Sequence, residues 1–565
     1  MAEKSRVALK AYPELLQELL YSRDLDTEEK SKRFLNPDFE TDSHDPFLMK
    51  GMKQAVSRLV KAIKEKERIT IWADYDADGV PGAVVLHDIL KKAGYENFDV
   101  YIPSRNEEGF GLNNKGLAEV ADRGTKLIIT VDCGINDGEE VVFANSRGME
   151  VIITDHHVPG DILPEAHTIL NPKQAGCMYP DKMICGAAVA FKLASALVFS
   201  EKLSLKKGVE KWLLDMVGIA TISDMVPLQG ENRVFAYWGL AVLRKSPRPG
   251  LQKLLAKAKI NQHFLTEDDI GFTIAPRINA ASRMGVPMDA FRLLSTTNEA
   301  EAGALAEHLN EINDQRKGTV AAMVKEMKKI LHERHGDEKL SVVVIGNPKW
   351  KPSLLGLAAN TLAEEYGCPA FVWGREGGTV LKGSCRSDGK TNLVAVMRAL
   401  PDGIFLECGG HALSGGFSIS IDGLSRLEEE LRVAIKKNAV EGSEPDPEYI
   451  DRQITLHEIN WDAYKIVEQM APFGLGNPKP VFLISSARLS SVRKFGKENN
   501  HREFSFLRDD GMAISAIAFF VQDDSSMGKA RTGDVVDIVG SLEKSIYGRK
   551  AELRLRIIYI INNKC

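Results

Sequence analysis

Asp74, Asp76 and Asp78 alternate directly after Ile69-Thr-Ile-Trp-Ala73, and Gly79 follows them. Ile69, Ile71 and Ala73 alternate like the buried face of a strand. If that extended geometry persists, the three carboxylates emerge on one side of the strand end. Acids crowded this way repel one another and need a cation, while Gly79 lets the chain turn away sharply. Related chemistry recurs downstream in Asp132-Cys-Gly134, Asp155-His156-His157 and Ser223-Asp224-Met-Val-Pro-Leu228. Carboxylates with imidazole and without thiolate suit manganese or magnesium over a soft metal. Two such ions, about 3.5–4 Å apart, are a standard means of in-line displacement at phosphorus, and a strand-end carboxylate standing alone can bridge them.

The aspartate triplet by itself leaves alternatives open. An EF-hand loop also reads Asp-x-Asp-x-Asp-Gly, but its twelfth position should be Glu. Here that position is Val85, and a strand precedes the loop where a helix should. A phosphatase of the haloacid-dehalogenase type also places Asp-x-Asp-Gly after a strand, which would make Asp76 a nucleophile. The motif alone does not choose between that and a dinuclear metal site.

The elements that carry these acids do choose. The pattern predicts a crossover helix at Val80–Ala93 and strands at Phe98–Ile102, Lys126–Val131 and Met149–Thr154, with helices between them. Such alternation means a parallel α/β sheet, whose ligands gather outside the carboxyl ends of the strands. Asp74, Asp76, Asp78, Asp132 and Asp155-His-His157 all fall at those ends. Residues 230–335 read as nearly all helix, with a long connecting helix from Glu299 to His335. A second α/β unit begins at Leu340–Ile345, and residues 441–449 read as an acidic linker. Five or so short β-type runs beyond it suggest a small OB-type barrel. The expected divisions are a helical segment 1–50, a catalytic domain 51–235, a helical connector 236–338, a second α/β domain 339–440 and a barrel 450–565.

Composition narrows the class. The chain has 565 residues, 44% of them apolar and 27% charged, as in an ordinary globular protein of several domains. No apolar run reaches membrane-spanning length, and no signal core follows Met1. Seven scattered cysteines without a Cys-x-x-Cys pair argue against a disulfide framework or structural zinc, and for a reducing cytoplasm. A net charge of −5 means that any nucleic-acid binding must rest on local basic patches or on metal.

Asp74-Tyr-Asp-Ala-Asp-Gly79, Asp132-Cys-Gly134, Asp155-His-His157 and Ser223-Asp-Met-Val-Pro-Leu228, in this order, resemble the four motifs of the DHH phosphoesterase superfamily. Gly409-Gly-His-Ala412 resembles its DHH-associated domain, and Pro276-Arg-Ile-Asn-Ala280 and Ala471-Pro-Phe-Gly-Leu-Gly-Asn-Pro478 resemble segments of the bacterial RecJ single-strand-specific 5′→3′ exonucleases. Asp-His-His has no place in a dehalogenase-type site. The resemblance implies that Asp76 holds one ion and Asp78 the other, that Asp132 bridges them, and that His156 and Asp224 complete the surroundings of the second ion. It also implies that His157 reaches the scissile phosphate, that Asp155 orients its neighbours, and that Asp74 lies beside the site. Arg277 and Asn279 would hold phosphates further along the strand, with Arg386 and His411 contacting the nucleotide from the second domain. Ser282 and Lys351 depart from the family pattern without touching the metal ligands.

The implied activity is two-metal hydrolysis of single-stranded DNA from its 5′ end with release of mononucleotides, in recombination and repair. A single-strand-binding protein and a helicase are implied partners, and a monomer is the expected state. Other members of the superfamily suggest a phosphodiesterase of short oligoribonucleotides or cyclic dinucleotides, and a catalytically silent DNA-binding scaffold is the non-enzymatic alternative. The barrel argues for long polymers and the complete metal set for catalysis. Residues 488–508 interleave basic and aromatic side chains, the composition of a single-strand platform, with Arg493, Lys494, Lys497 and Arg502 as its cations.

Overall fold

Strand β1 (Arg68–Ala73) is buried from Ile69 to Ala73, as its apolar run requires. It lies at the centre of a wholly parallel sheet with β2 (Phe98–Tyr101), β3 (Thr125–Val131), β4 (Glu150–Thr154) and β5 (Thr168–Leu170), in the order β2-β1-β3-β4-β5. β5 escaped the sequence reading because a three-residue strand leaves almost no periodic signal. The strand order reverses at β1, the kind of switch point where doubly wound sheets bind ligands. A ladder of backbone hydrogen bonds sets the strand ends in step. Asp74 N–H donates to Val131 O (3.0 Å), Asp132 N–H to Thr154 O (2.9 Å) and Asp155 N–H to Leu170 O (3.0 Å).

The computed structural model describes residues 9–336, 338–375, 380–438, 450–496, 499–523, 525–545 and 551–562. The linker expected at 441–449 and Lys497 of the basic patch lie outside them. The chain divides into two compact units. The larger comprises Pro46–Asp224 and Val242–Gly442. In it the 37-residue helix Glu299–His335 runs from the helices that flank the first sheet into a second core, where Met323, Val324, Met327 and Leu331 pack with Trp350, Leu354 and Ala358. That core supports a mixed sheet of β6 (Val343–Gly346), β7 (Ala370–Gly374), β8 (Leu381–Arg386), β9 (Phe405–His411) and β10 (Ser414–Ile419), ordered β6-β7-β8-β10-β9. Both departures from the family pattern are accommodated here. Ser282 is buried and donates its hydroxyl to Asn279 O, and Lys351 is exposed just before the helix Pro352–Tyr366 and just after the buried Trp350.

The smaller unit gathers Met1–Asp45, Met225–Ala241 and Ser443–Cys565. Its barrel is built from β12 (Phe482–Phe495), β13 (His501–Leu507), β14 (Ala513–Ala518), β15 (Val535–Ser545) and β16 (Glu552–Asn562). Pairing of β12 with β15 closes it, and β11 (Arg452–Gln453) lies against β12. Phe504 and Phe506 are fully buried, and Leu16, Leu19 and Phe34 from the N-terminal helices share the barrel's core. Arg233 stacks on the Phe34 ring at 3.5 Å and donates to the carbonyls of Phe34, Met470, Ala471 and Pro472. Asn477 donates to Met470 O and Pro472 O, so the Ala471–Pro478 segment acts within this unit as a buckle.

Candidate metal centre

Every sequence-derived metal ligand lies in the larger unit, and those of the three Asp and Asp-His motifs sit on loops that leave the carboxyl ends of the first sheet. Three sets of side chains have potential ligand atoms within 4.8 Å of one another: Asp74, Asp76 and Asp132; Asp78, His156 and Asp224; and Asp132, His156 and His157. His156 Nε2 stands 3.2 Å from Asp132 Oδ1, 3.7 Å from Asp224 Oδ2 and 3.8 Å from Asp78 Oδ2. Asp132 thus belongs to two sets, and Asp74 joins the first set where the sequence reading put it beside the site.

The surrounding backbone explains the approach of so many acids. Asp132 adopts φ 61°, a left-handed conformation unusual for a residue with a Cβ and one that clusters at functional sites. A Cβ on Gly186 would stand 2.5–2.7 Å from the Asp132 side chain, so glycine alone lets the start of the helix Gly186–Phe199 come this close. The Gly186 and Ala187 amides of the same turn donate to Asp78 Oδ2 and Oδ1 at 2.6 and 2.7 Å, holding a negative charge at a helix N-terminus. Asp76 Oδ1 accepts from the amides of Asp78 (2.8 Å) and Gly79 (3.1 Å), which fixes the turn after β1. Asn279 Oδ1 accepts from Ala77 N–H at 3.0 Å, tying the same turn to the helix Ala275–Met284.

Asp155 works through its neighbours. Its Oδ1 accepts from the amides of His156 and His157 and from His157 Nδ1 at 2.8 Å, and its Oδ2 from Ile135 N–H. That fixes Nδ1 as the donor to Asp155 and leaves Nε2 of His157 for another partner. Burial alone would lower the His157 pKa, but the hydrogen bond to Asp155 and its charge reverse this and raise it. Burial, then the neighbouring Asp76, pushes Asp78 up to about 7. Burial, then Asp78 and Asp76, pushes Asp224 up to about 9. Asp132 and Asp74 are raised well above the carboxylate range, again chiefly by burial and then by other aspartates. Burial and the neighbouring His157 lower His156 to about 3, keeping it neutral and free to ligate. Asp74 Oδ1 and Asp132 Oδ1 are buried and accept no hydrogen bond. Buried acids that resist ionisation, with unshared oxygens and a neutral imidazole beside them, are a donor set suited to hard divalent cations.

The proposed nucleic-acid contacts divide. Arg386 is half-buried, its guanidinium occupying the space left by Gly356. His411 is exposed on β9. Arg277 is largely buried, donating to Asn310 Oδ1 and Thr273 O, and Asn279 Oδ1 accepts from the Ala77 amide. In the barrel Arg502 is not a surface cation. It is 1% exposed and donates to Asn499 O, His501 O and Asp523, because β13 turns that side of the strand inward. Arg493 pairs with Glu503 and Lys494 with Asp523, which neutralises much of the expected patch.

Four residues were missed from sequence. Arg283 is half-buried, and burial followed by the charges of Arg105, Arg316 and Arg386 lowers it to about 9. The signal was available for Arg283, which lies four residues after Asn279 on the face of one helix that reaches the aspartate turn. Arg105 stacks over Tyr75 at 4.9 Å and lines, with Tyr75, Ser353, Lys382 and Cys408, a cleft of about 420 Å³. Lys173, after β5, donates to His156 O, and the preceding Asn171 donates to His157 O. A larger cleft of about 940 Å³, lined by His87, Asp88, Trp212 and Arg248, contains none of the metal-set residues.

Comparison with known proteins agrees with this architecture. Residues 68–221 match the model of the DHH family N-terminal domain, residues 337–437 the DHHA1 domain and residues 450–559 the RecJ OB domain. The single-stranded-DNA-specific exonuclease RecJ of Bacillus subtilis is 34% identical over 549 residues, 96% of this chain and 67% of that protein. The Escherichia coli protein of the same name is 31% identical over 449 residues, 77% of this chain and 78% of the other. A crystal structure of RecJ in complex with Mn2+ from Thermus thermophilus superposes with a TM-score of 0.79 at 26% identity, covering 98% of this chain and 76% of that one. On the order of its motifs, the fold that carries them and the extent of these matches, the chain belongs to the RecJ family of single-stranded-DNA-specific exonucleases.

Proposed function

We propose that this protein hydrolyses single-stranded DNA from the 5′ end, releasing mononucleotides, at the acid cluster of the parallel sheet. The observation that carries the proposal is the buried Asp132, shared by two ligand sets and with an oxygen that accepts no hydrogen bond. Manganese or magnesium would be held by Asp74, Asp76 and Asp132 on one side and by Asp78, His156 and Asp224 on the other, with Asp132 Oδ1 3.2 Å from His156 of the second group. When bound, two such ions supply a water nucleophile at neutral pH and charge stabilisation of the leaving oxygen. His157, its Nδ1 held by Asp155 and its pKa raised by that contact, would donate from Nε2 to a phosphate oxygen in its protonated form. Arg105, Arg316 and Arg386 lie close enough to Arg283 for their charges to lower its pKa, which suits the group to the strand's phosphates.

The RecJ OB domain favours a long polymer over a cyclic dinucleotide. Single strands must be supplied by an unwinding activity and shielded by a single-strand-binding protein, which makes both classes natural partners. The cytoplasm is the compartment proposed, and no helix among the described residues is long and apolar enough to cross a membrane. The test is degradation of 5′-labelled single- and double-stranded DNA with Mn²⁺, with Mg²⁺ and with chelator. Labelled mononucleotide should appear first, from single strands only, and only with metal. Early ladders of long labelled products would refute the polarity, and equal attack on duplex would refute the strand preference.

A further inference from the structure

Between β2 and the helix Asn114–Asp122 runs the loop Glu108-Gly-Phe-Gly-Leu112, whose two glycines flank Phe110 at φ 85° and 83°. Left-handed backbone on both sides throws the ring outward, and it is 50% exposed. The loop that carries it is fastened at each end. Leu112 is buried and its N–H donates to Asp137 Oδ2 at 2.7 Å, while Trp72 Nε1 donates to Gly111 O at 3.2 Å. On the other side, Glu108 accepts from Tyr101 Oη and Ser104 N–H. Asp137 also fills the space a Cβ on Gly111 would need. An apolar ring held half in solvent by so many hydrogen bonds has a fixed place, and that place is beside the metal set. Its centroid lies 5.5 Å from that of His157, with the planes at 70°, and His157 Nδ1 is 3.7 Å from Asp132 Oδ1.

The acids and arginines at this site serve metal and phosphates, and among the aromatic rings there only an exposed one can take a base. Tyr75, the ring next to the aspartates, is 7% exposed and covered by Arg105. We propose that Phe110 is a base-stacking residue for the reaction, taking on its exposed face the nucleobase adjoining the scissile phosphate. Every base has an apolar face, so such a contact is indifferent to sequence. A base within a duplex has both faces covered by its neighbours, so the same contact favours an unpaired strand. This inference rests on the nuclease reading of the site and adds to it a contact for the base.

The test is a cycle between protein and substrate. Wild type, Phe110→Ala and Phe110→Trp are compared on single strands that are intact or carry one abasic residue at the first, second or third position from the 5′ end. On intact strands Phe110→Ala should lower kcat/KM by about 10–100-fold, the range for loss of one base–aromatic stack. Phe110→Trp should stay within about threefold of wild type, since the indole keeps the stacking face. At one of the first two positions, removing the base should cost wild type a similar factor and cost Phe110→Ala nothing more. Mn²⁺ affinity should be the same in all three proteins. If the ring acted only by propping His157, the two losses would multiply at every position, and that result overturns the proposal. Equal rates for wild type and Phe110→Ala on intact strands overturn it too. A wild type inert toward every single strand would instead remove the nuclease reading, and this inference with it.

Discussion

Asp155 shows what a carboxylate does at this site without touching a metal. The hydrogen bonds its carboxylate accepts come from His156, His157 and Ile135, so Asp155→Asn should leave Mn²⁺ binding largely intact. It should lower kcat/KM by about 10–100-fold, as loss of a carboxylate that orients a site histidine commonly does, and steady-state kinetics beside Mn²⁺ titration would separate the two effects. The raised acids make a second statement at this scale. Above the ordinary carboxylate range, and up to about 7 for Asp78 and about 9 for Asp224, the metal-free fold holds protons that the unfolded chain has lost. Its stability therefore falls as pH rises through that window. His156 acts oppositely, adding stability as pH rises from about 3 towards 6.5, and contributes no further change above that. The metal-free protein should melt lower at pH 9 than at pH 7, and saturating Mn²⁺ should raise the melting temperature more at pH 9. A metal-induced shift that is the same at both values would contradict the assignment of these acids as ligands. The ligand residues at the strand ends were legible because each is an Asp or His in that position. Lys173 and Arg105 were not, because nothing in their local sequence marks them and only packing brings them to the cluster.

At the scale of elements, the parallel sheet could be read from alternating apolar runs, and the positions of Asp132 and Asp155 followed from it. What could not be read was how closely a helix start may approach those strand ends. That depends on Gly186, whose missing Cβ makes room for the Asp132 carboxylate. Gly186→Ala should displace that carboxylate, weaken Mn²⁺ binding at least about tenfold and lower activity in step, with the helix itself intact by circular dichroism. Unchanged Mn²⁺ affinity would show that the approach is not needed. Asn279 shows a contact that sequence could not supply. Its place in a family-like segment suggested a phosphate contact, yet its Oδ1 holds the Ala77 amide, and only the structure shows that partner.

For the whole molecule, composition suggested several domains but not that the N-terminal helices share a core with the barrel more than four hundred positions away in the chain. Pairing across such separations leaves no periodic trace in sequence. The basic stretch 488–508 was visible, but the pairing of Lys494 and Arg502 was not, because their partner Asp523 lies beyond it in the chain. Arg488 is exposed, with no carboxylate partner among the described residues. Arg488→Ala should therefore flatten the salt dependence of single-strand binding by about 0.7 in log–log slope, and Arg493→Ala by less, since Glu503 already offsets its charge. Fluorescence anisotropy across a salt series measures both.

Asp132 carries the account as a whole, since it belongs to two of the three ligand sets and stands 3.2 Å from His156 of the third. The most direct measurement is the rate at which wild type and Asp132→Ala release mononucleotide from 5′-labelled single-stranded DNA in saturating Mn²⁺. With water activation and charge stabilisation both damaged, the variant should be slower by at least about 10³-fold. A folded Asp132→Ala protein that works within about tenfold of wild type would contradict a dinuclear centre built on this residue.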